Sequence, residues 1–181
     1  EESAKEVENI ILNSGIKLRS YSTLGLRDDA EFLFWFASET IDEIQDVISK
    51  LYLTVFGKYI TPSRVYLSCT RPSAYAKKGT LSSFVLGHEP KKFVVVYPFT
   101  KTREWYLLPQ PQRQKMMDQH ISMSEKYPQV ILNTTYSFGI GDQDFMLAFE
   151  CDNLRDFQNL IMDLRQTKVS AYVAVDTPML T

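Results

Sequence analysis

Two histidines are the natural place to look for chemistry, because imidazole titrates near neutral pH and binds transition metals. His88 lies in the loop sequence LGHEP and reads as a solvated loop residue. His120 lies in QRQKMMDQHISMSEKY, where helical spacing puts Met116, Met123, Ser124 and Tyr127 on its side. A neutral imidazole among thioethers and small side chains can seat an iron porphyrin: the ring nitrogen ligates iron and Met packs against the planar faces. The same pattern also serves a core or interface histidine, and the residues alone leave both readings open.

A second constellation runs Tyr97-Pro98-Phe99-Thr100-Lys101-Thr102-Arg103-Glu104-Trp105-Tyr106-Leu107-Leu108-Pro109. It begins where a continuous apolar strand ends, and it brings a phenol, an ammonium and a guanidinium close together. If the chain stays extended, Lys101 and Arg103 point to the same side. Two cations beside aromatic rings can hold the carboxylates of a tetrapyrrole, though a solvated strand end has the same composition. The acidic pairs Asp28-Asp29 and Asp142/Asp144 sit in turn sequences and read as turn-formers. There is no glycine-rich phosphate loop, no G-x-S-x-G elbow and no H-E-x-x-H. The 2 cysteines, Cys69 and Cys151, are far apart, so neither a disulfide framework nor a structural zinc is expected.

The elements that position these residues come in two copies. Residues 18–51, LRSYSTLGLRDDAEFLFWFASETIDEIQDVISKL, match residues 131–164, ILNTTYSFGIGDQDFMLAFECDNLRDFQNLIMDL. Gly25 aligns with Gly139, and Asp28-Asp29 falls opposite Asp142-Gln143. After a one-residue gap, Phe32 to Phe36 meets Phe145 to Phe149, and Ile41, Ile44 and Leu51 fall on Leu154, Phe157 and Leu164. Each copy predicts a hairpin with a Gly-Asp turn, an N-cap (Thr40, Asn153) and an amphipathic helix. A helix precedes each hairpin, over residues 4–13 and 112–126, and strands are expected to close the units at 64–69 and 169–175. One further strand, 91–99, opens the second copy and gives it the order β-α-β-β-α-β of a ferredoxin-like unit.

The fold expected is therefore α+β, with two tandem ferredoxin-like (split βαβ) units in a dimeric α+β barrel arrangement. The first copy opens directly on its helix and the sequence starts at Glu1 rather than Met, so a first strand of unit one is expected to lie outside it. The halves are expected at 1–71 and 91–181, the second carrying the site, joined by a Ser-, Lys- and Gly-containing connector at 72–90.

Composition narrows the function classes. Apolar residues make up 44% and aromatics 13% of 181 residues, ample for a buried core. A formal charge of -2 and a pI near 5.7 argue against a nucleic-acid binder. No apolar run approaches the roughly 20 residues needed to span a bilayer. The start, EESAKEVENI, is acidic and unlike a signal peptide, and free thiols suit a reducing compartment, so a cytoplasmic location is expected.

Taken together, Tyr97-Pro98-x-x-Lys101, then Trp105-Tyr106-Leu107-Leu108-Pro109, Arg113 and His120, resemble the motif Y-P-M-x-K…W-Y-M-L-P…R…H of the coproheme decarboxylases, a branch of the chlorite dismutase family. NTTYSFGIGDQDFMLAFECDNLRDF is similar to that family's G-L-D-D hairpin, LIMDLRQTKVSAY to its final helix, and YLSCTRPSAY to the segment joining its halves. The resemblance implies haem b or coproheme as cofactor and His120 as the iron ligand. It makes Tyr97 the phenol that becomes a radical and oxidises a propionate, with Lys101 beside it. Arg103, Met116 and Leu132 are the further expected contacts of the porphyrin. It also implies a homo-oligomer, commonly a pentamer.

Two departures shape the expected activity. Dismutases carry a distal Arg seven residues before the hairpin glycine, but counting back from Gly139 gives Leu132, with Ile131 and Asn133 beside it. Chlorite chemistry is therefore disfavoured. A family Glu behind the iron-binding His is replaced near Lys168, which implies an imidazole without an anionic partner and an iron that is easier to reduce. Three readings follow: a peroxide-dependent coproheme decarboxylase, a non-catalytic haem carrier or sensor, or a structural module in which His120 is incidental.

Overall fold

Apolar residues recurring every second position and then every third or fourth build both halves of the chain. The computed structural model describes residues 2–75 and 83–181, which divide into the units Glu1–Val65 and Tyr66–Thr181.

The first unit contains α1 (Glu2–Leu12), the hairpin β1 (Lys17–Ser22) and β2 (Phe32–Ala37), α2 (Ile41–Leu53) and a 3-10 turn at Phe56–Tyr59. Strands β1 and β2 pair antiparallel, with Ser20 opposite Phe34. Val7 and Ile10 of α1 pack with Phe36 against Ile16, Val47 and Leu51. Strand β2, FLFWFA, has no fully buried residue despite its five large apolar side chains.

Residues 64–69, expected as the closing strand of this unit, do not form one. Pro62 removes a backbone donor, and Arg64 is held by its side chain to Asp29 at 2.9 Å. From Tyr66 the chain belongs to the second unit, where Cys69 makes an isolated antiparallel bridge to Tyr136.

The second unit runs β3 (Phe93–Lys101), α3 (Arg103–Leu107), α4 (Gln110–Ser124), β4 (Ile131–Tyr136), β5 (Phe145–Cys151), α5 (Leu154–Arg165), a 3-10 turn at Lys168–Tyr172 and β6 (Val173–Val175). The sheet order β4-β5-β3-β6, antiparallel throughout, is that of a ferredoxin-like unit, and the fold is α+β as expected. The strand expected over 169–175 shrinks to its last three residues. The Thr167 carbonyl accepts hydrogen bonds from both the backbone and the hydroxyl of Ser170, which winds the segment into the 3-10 turn. The expected connector at 72–90 lies partly outside the described residues. In its described end Ser83 and Phe84 are buried.

The repeat survives as geometry. Gly25 and Gly139 both take positive φ, 76° and 75°, at equivalent hairpin turns, where a side chain would be strained. Thr40 and Asn153 cap their helices by accepting from Glu43 N and Arg155 N. The two helices also end alike: Thr54 Oγ1 donates to Leu51 O at 2.7 Å, and Thr167 Oγ1 donates to Leu164 O at 2.6 Å.

Pairing register assigns each residue of the second sheet to a face, because directly paired residues share one. Leu132, Phe149 and Val95 are in line, as are Thr134, Leu147 and Tyr97. This face packs against α5 through Leu160 and Leu164 and against α4 through Met123. The opposite face carries Ile131, Glu150 and Val94 in one row and Asn133, Ala148 and Val96 in the next.

Candidate functional site around His120

His120 lies on α4 between two apolar clusters. Toward the helix start, Met116 packs with Trp105 and Val169. Toward the helix end, Met123 and Tyr127 pack with Tyr97, Phe149, Leu160 and Leu164. The imidazole Nδ1 is 3.2 Å from Thr167 Oγ1. The single hydroxyl proton of Thr167 is already committed to Leu164 O, so its oxygen faces Nδ1 as an acceptor and Nδ1 must donate. That leaves the lone pair of the ring on Nε2, which makes no hydrogen bond among the described residues. Burial, and then the charge of Lys101, push the His120 pKa down from 6.5 to about 4. The ring is thus neutral at physiological pH, with its basic nitrogen unspent.

Lys101 stands near this imidazole. Its Nζ donates to Val169 O at 3.1 Å and lies 5.0 Å from the ring centres of both Phe99 and Trp105. Burial pulls its pKa down from 10.5 to about 8. The extended run that would have aligned Lys101 with Arg103 does not occur, because α3 starts at Arg103; Arg103 is exposed. Asp144 fixes this strand-to-helix turn, its carboxylate accepting from Lys101 N at 2.9 Å and from the Tyr106 hydroxyl at 2.6 Å. Burial and that bond raise the Tyr106 pKa.

Tyr97 is buried and stacks on Phe149, with ring centres 5.9 Å apart. Burial, with the charge of Asp176, pushes its phenol pKa up, and its hydroxyl makes no hydrogen bond among the described residues. Register separates the three distal candidates: Leu132 shares the face of Tyr97 and Phe149, whereas Ile131 and Asn133 face the other way. Asn133 is engaged there with Glu150 and Ser83. The face that Tyr97 occupies therefore presents a hydrocarbon at position 132, and Leu132 is 48% exposed.

Of the other expected contacts, Met116 is buried against Trp105 and Val169, and it also lines a recess of about 350 Å³ with Gln112, Lys115, Gln119 and Lys168. His88 is exposed. Two residues were not singled out as site residues by sequence. Arg113 precedes His120 by two helical turns, on the same side of α4, and its buried Nε has no hydrogen-bond partner; the spacing of seven was the available signal. Thr167 carried no signal, because its contact with His120 depends on how the end of α5 meets α4.

Split βαβ topology with a half-buried, neutral histidine on one helix and an aromatic sheet face in the same unit defines a class of α+β protein, and comparison with known proteins places the chain within it. The family model described as chlorite dismutase matches residues 1–181. The coproheme decarboxylase of Mycolicibacterium smegmatis is 32% identical over 171 residues, which is 93% of this chain and 74% of that protein. Chlorite dismutase from Candidatus Nitrospira defluvii in complex with imidazole superposes with a TM-score of 0.89 at 26% identity, covering 99% of this chain and 79% of that one. A variant of the same enzyme gives 0.87 with the same identity and coverage. The chain belongs to the chlorite dismutase family.

Proposed function

We propose that the protein binds an iron tetrapyrrole, haem b or coproheme, through His120 Nε2 and acts as a peroxide-dependent coproheme decarboxylase. The observation that carries this reading is the fixed Nδ1–H tautomer of a neutral, largely buried imidazole with Nε2 unpaired, which is the state a metal ligand needs. The other groups fit the same ligand. Met123, one helical turn from the imidazole on α4, is only part-buried and offers a thioether to a flat macrocycle. Arg113 has a buried donor unfilled, suited to a propionate carboxylate.

The iron group, when bound, supplies the oxidising equivalents of peroxide. Tyr97 is the residue to pass them on: burial keeps its phenol protonated, so oxidation removes a proton and an electron together. The phenoxyl would take a hydrogen atom from the propionate β-carbon, which restores Tyr97. The second oxidising equivalent of peroxide would take the electron released as carbon dioxide leaves, giving a vinyl group, and the phenol proton would end in the water formed from peroxide.

The 32% identity to a coproheme decarboxylase supports this activity. A non-catalytic haem carrier or sensor is the second reading, favoured by the hydrocarbon at Leu132 and the uncharged partner of His120. The experiment is to add coproheme, titrate peroxide and follow porphyrin mass. The native protein should lose carbon dioxide from coproheme and Tyr97→Phe should not, while still binding; His120→Ala should abolish the Soret shift of the bound ferric form. Equal decarboxylation by Tyr97→Phe would overturn the radical assignment. An inert native protein that still binds would leave the carrier or sensor.

A further inference from the structure

The mechanism above uses the unpaired nitrogen of His120. The opposite nitrogen and its partner decide how that ligand behaves. Thr167 is 3% exposed, and its hydroxyl is held in place twice over. It donates to Leu164 O at 2.6 Å, and its own backbone N–H also donates to Leu164 O at 3.1 Å. The same hydroxyl bond recurs in the first unit, where Thr54 Oγ1 donates to Leu51 O and accepts from Gly57 N at 3.0 Å. In both units the proton ends the helix, and the oxygen lone pairs are left for another donor. In the second unit that donor is His120 Nδ1.

Among the described residues no carboxylate hydrogen-bonds to the ring. The charge that acts on the ring is that of Lys101, a cation anchored on Val169 O two residues beyond Thr167. A neutral oxygen accepting from Nδ1–H, next to a cation, polarises that bond less than a carboxylate does, so the ring takes on little imidazolate character. A metal held by Nε2 then receives a weak donor, which favours the lower oxidation state.

We propose that Thr167 is the positioning residue of this site, fixing His120 as the Nδ1–H tautomer and, by its neutrality, keeping Nε2 a weak donor toward iron. The second half of this inference rests on the reading that His120 ligates a tetrapyrrole iron, and the first half does not.

The two halves are tested separately. In the protein without tetrapyrrole, two-bond ¹H–¹⁵N correlation spectra report the His120 tautomer. Native protein and Thr167→Ser should show Nδ1–H, and Thr167→Val should show a loss of that preference. An Nε2–H ring in the native protein, or an unchanged tautomer in a folded Thr167→Val, would overturn the proposal. In the haem-loaded protein, the iron–histidine stretch and the midpoint potential report donor strength. Thr167→Ser should match the native protein, whereas Thr167→Glu should raise the stretch and move the reduction equilibrium about tenfold toward ferric iron, about 59 mV for one electron. An unmoved potential and stretch in Thr167→Glu would refute the donor-strength claim. Failure of the native protein to bind haem would instead count against the proposed function, with the tautomer measurement still standing on its own.

Discussion

Acidification should expose the cost of burying a neutral imidazole. The His120 pKa is 6.5 in an unfolded chain and about 4 in the fold, so between those values the unfolded state binds the proton and the native state does not. The folded-state pKa is depressed, which means the stability associated with it is present above about pH 6.5 and is lost as the pH falls toward 4. Each pKa step is worth about 1.36 kcal/mol, giving a full loss of about 3 kcal/mol below both values and about 2 kcal/mol at pH 5. The measurement is urea unfolding of the tetrapyrrole-free protein at pH 7 and pH 5, for the native chain and for His120→Gln. Every other ionisable group is common to both proteins and cancels in the difference. The native midpoint should fall by about 1 M urea more than that of the variant, for a slope of roughly 1–3 kcal/mol per M. Equal falls would show that His120 is not held neutral by its surroundings.

Gly57→Ala should destabilise the first unit by more than about 3 kcal/mol, because a Cβ there would lie 2.2 Å from Leu51 O and 2.6 Å from Tyr52 Cα; a thermal melt within a few degrees of native would contradict this. The haem-loaded protein should release negligible oxygen from chlorite, since the face of Tyr97 carries Leu132 and no fixed cation at 131–133; brisk evolution on an oxygen electrode would overturn that argument. Light scattering at micromolar concentration should report a homo-oligomer, a pentamer by the family resemblance, in keeping with the half-buried aromatic strand FLFWFA; a monomer would count against it.

Much of this was legible in the sequence because the repeat carries its own punctuation. Gly25 and Gly139 mark the hairpins, Thr40 and Asn153 the helix starts, and each does locally what its side chain or its missing Cβ dictates. Residues 64–69 and 169–175 misled for the opposite reason. Their alternation is strand-like, but whether a strand forms depends on a distant partner, Tyr136 in one case and the irregular end of β3 in the other. At the site, His120 stood out by type and motif. Counting left Ile131, Leu132 and Asn133 undecided, and only pairing with Phe149 separates them. The turn at Thr102 that parts Lys101 from Arg103 depends on Asp144, forty-odd residues further along the chain.

The matched helix ends have a consequence for how such a site can arise. Thr54 and Thr167 each give the hydroxyl proton to a carbonyl of the preceding helix turn, so in both units the oxygen is placed by the need to finish a helix. In the first unit that oxygen accepts from a glycine amide, and in the second it faces an imidazole. One helix ending thus serves either donor, and an acceptor for an imidazole requires no residue beyond the one that closes the helix.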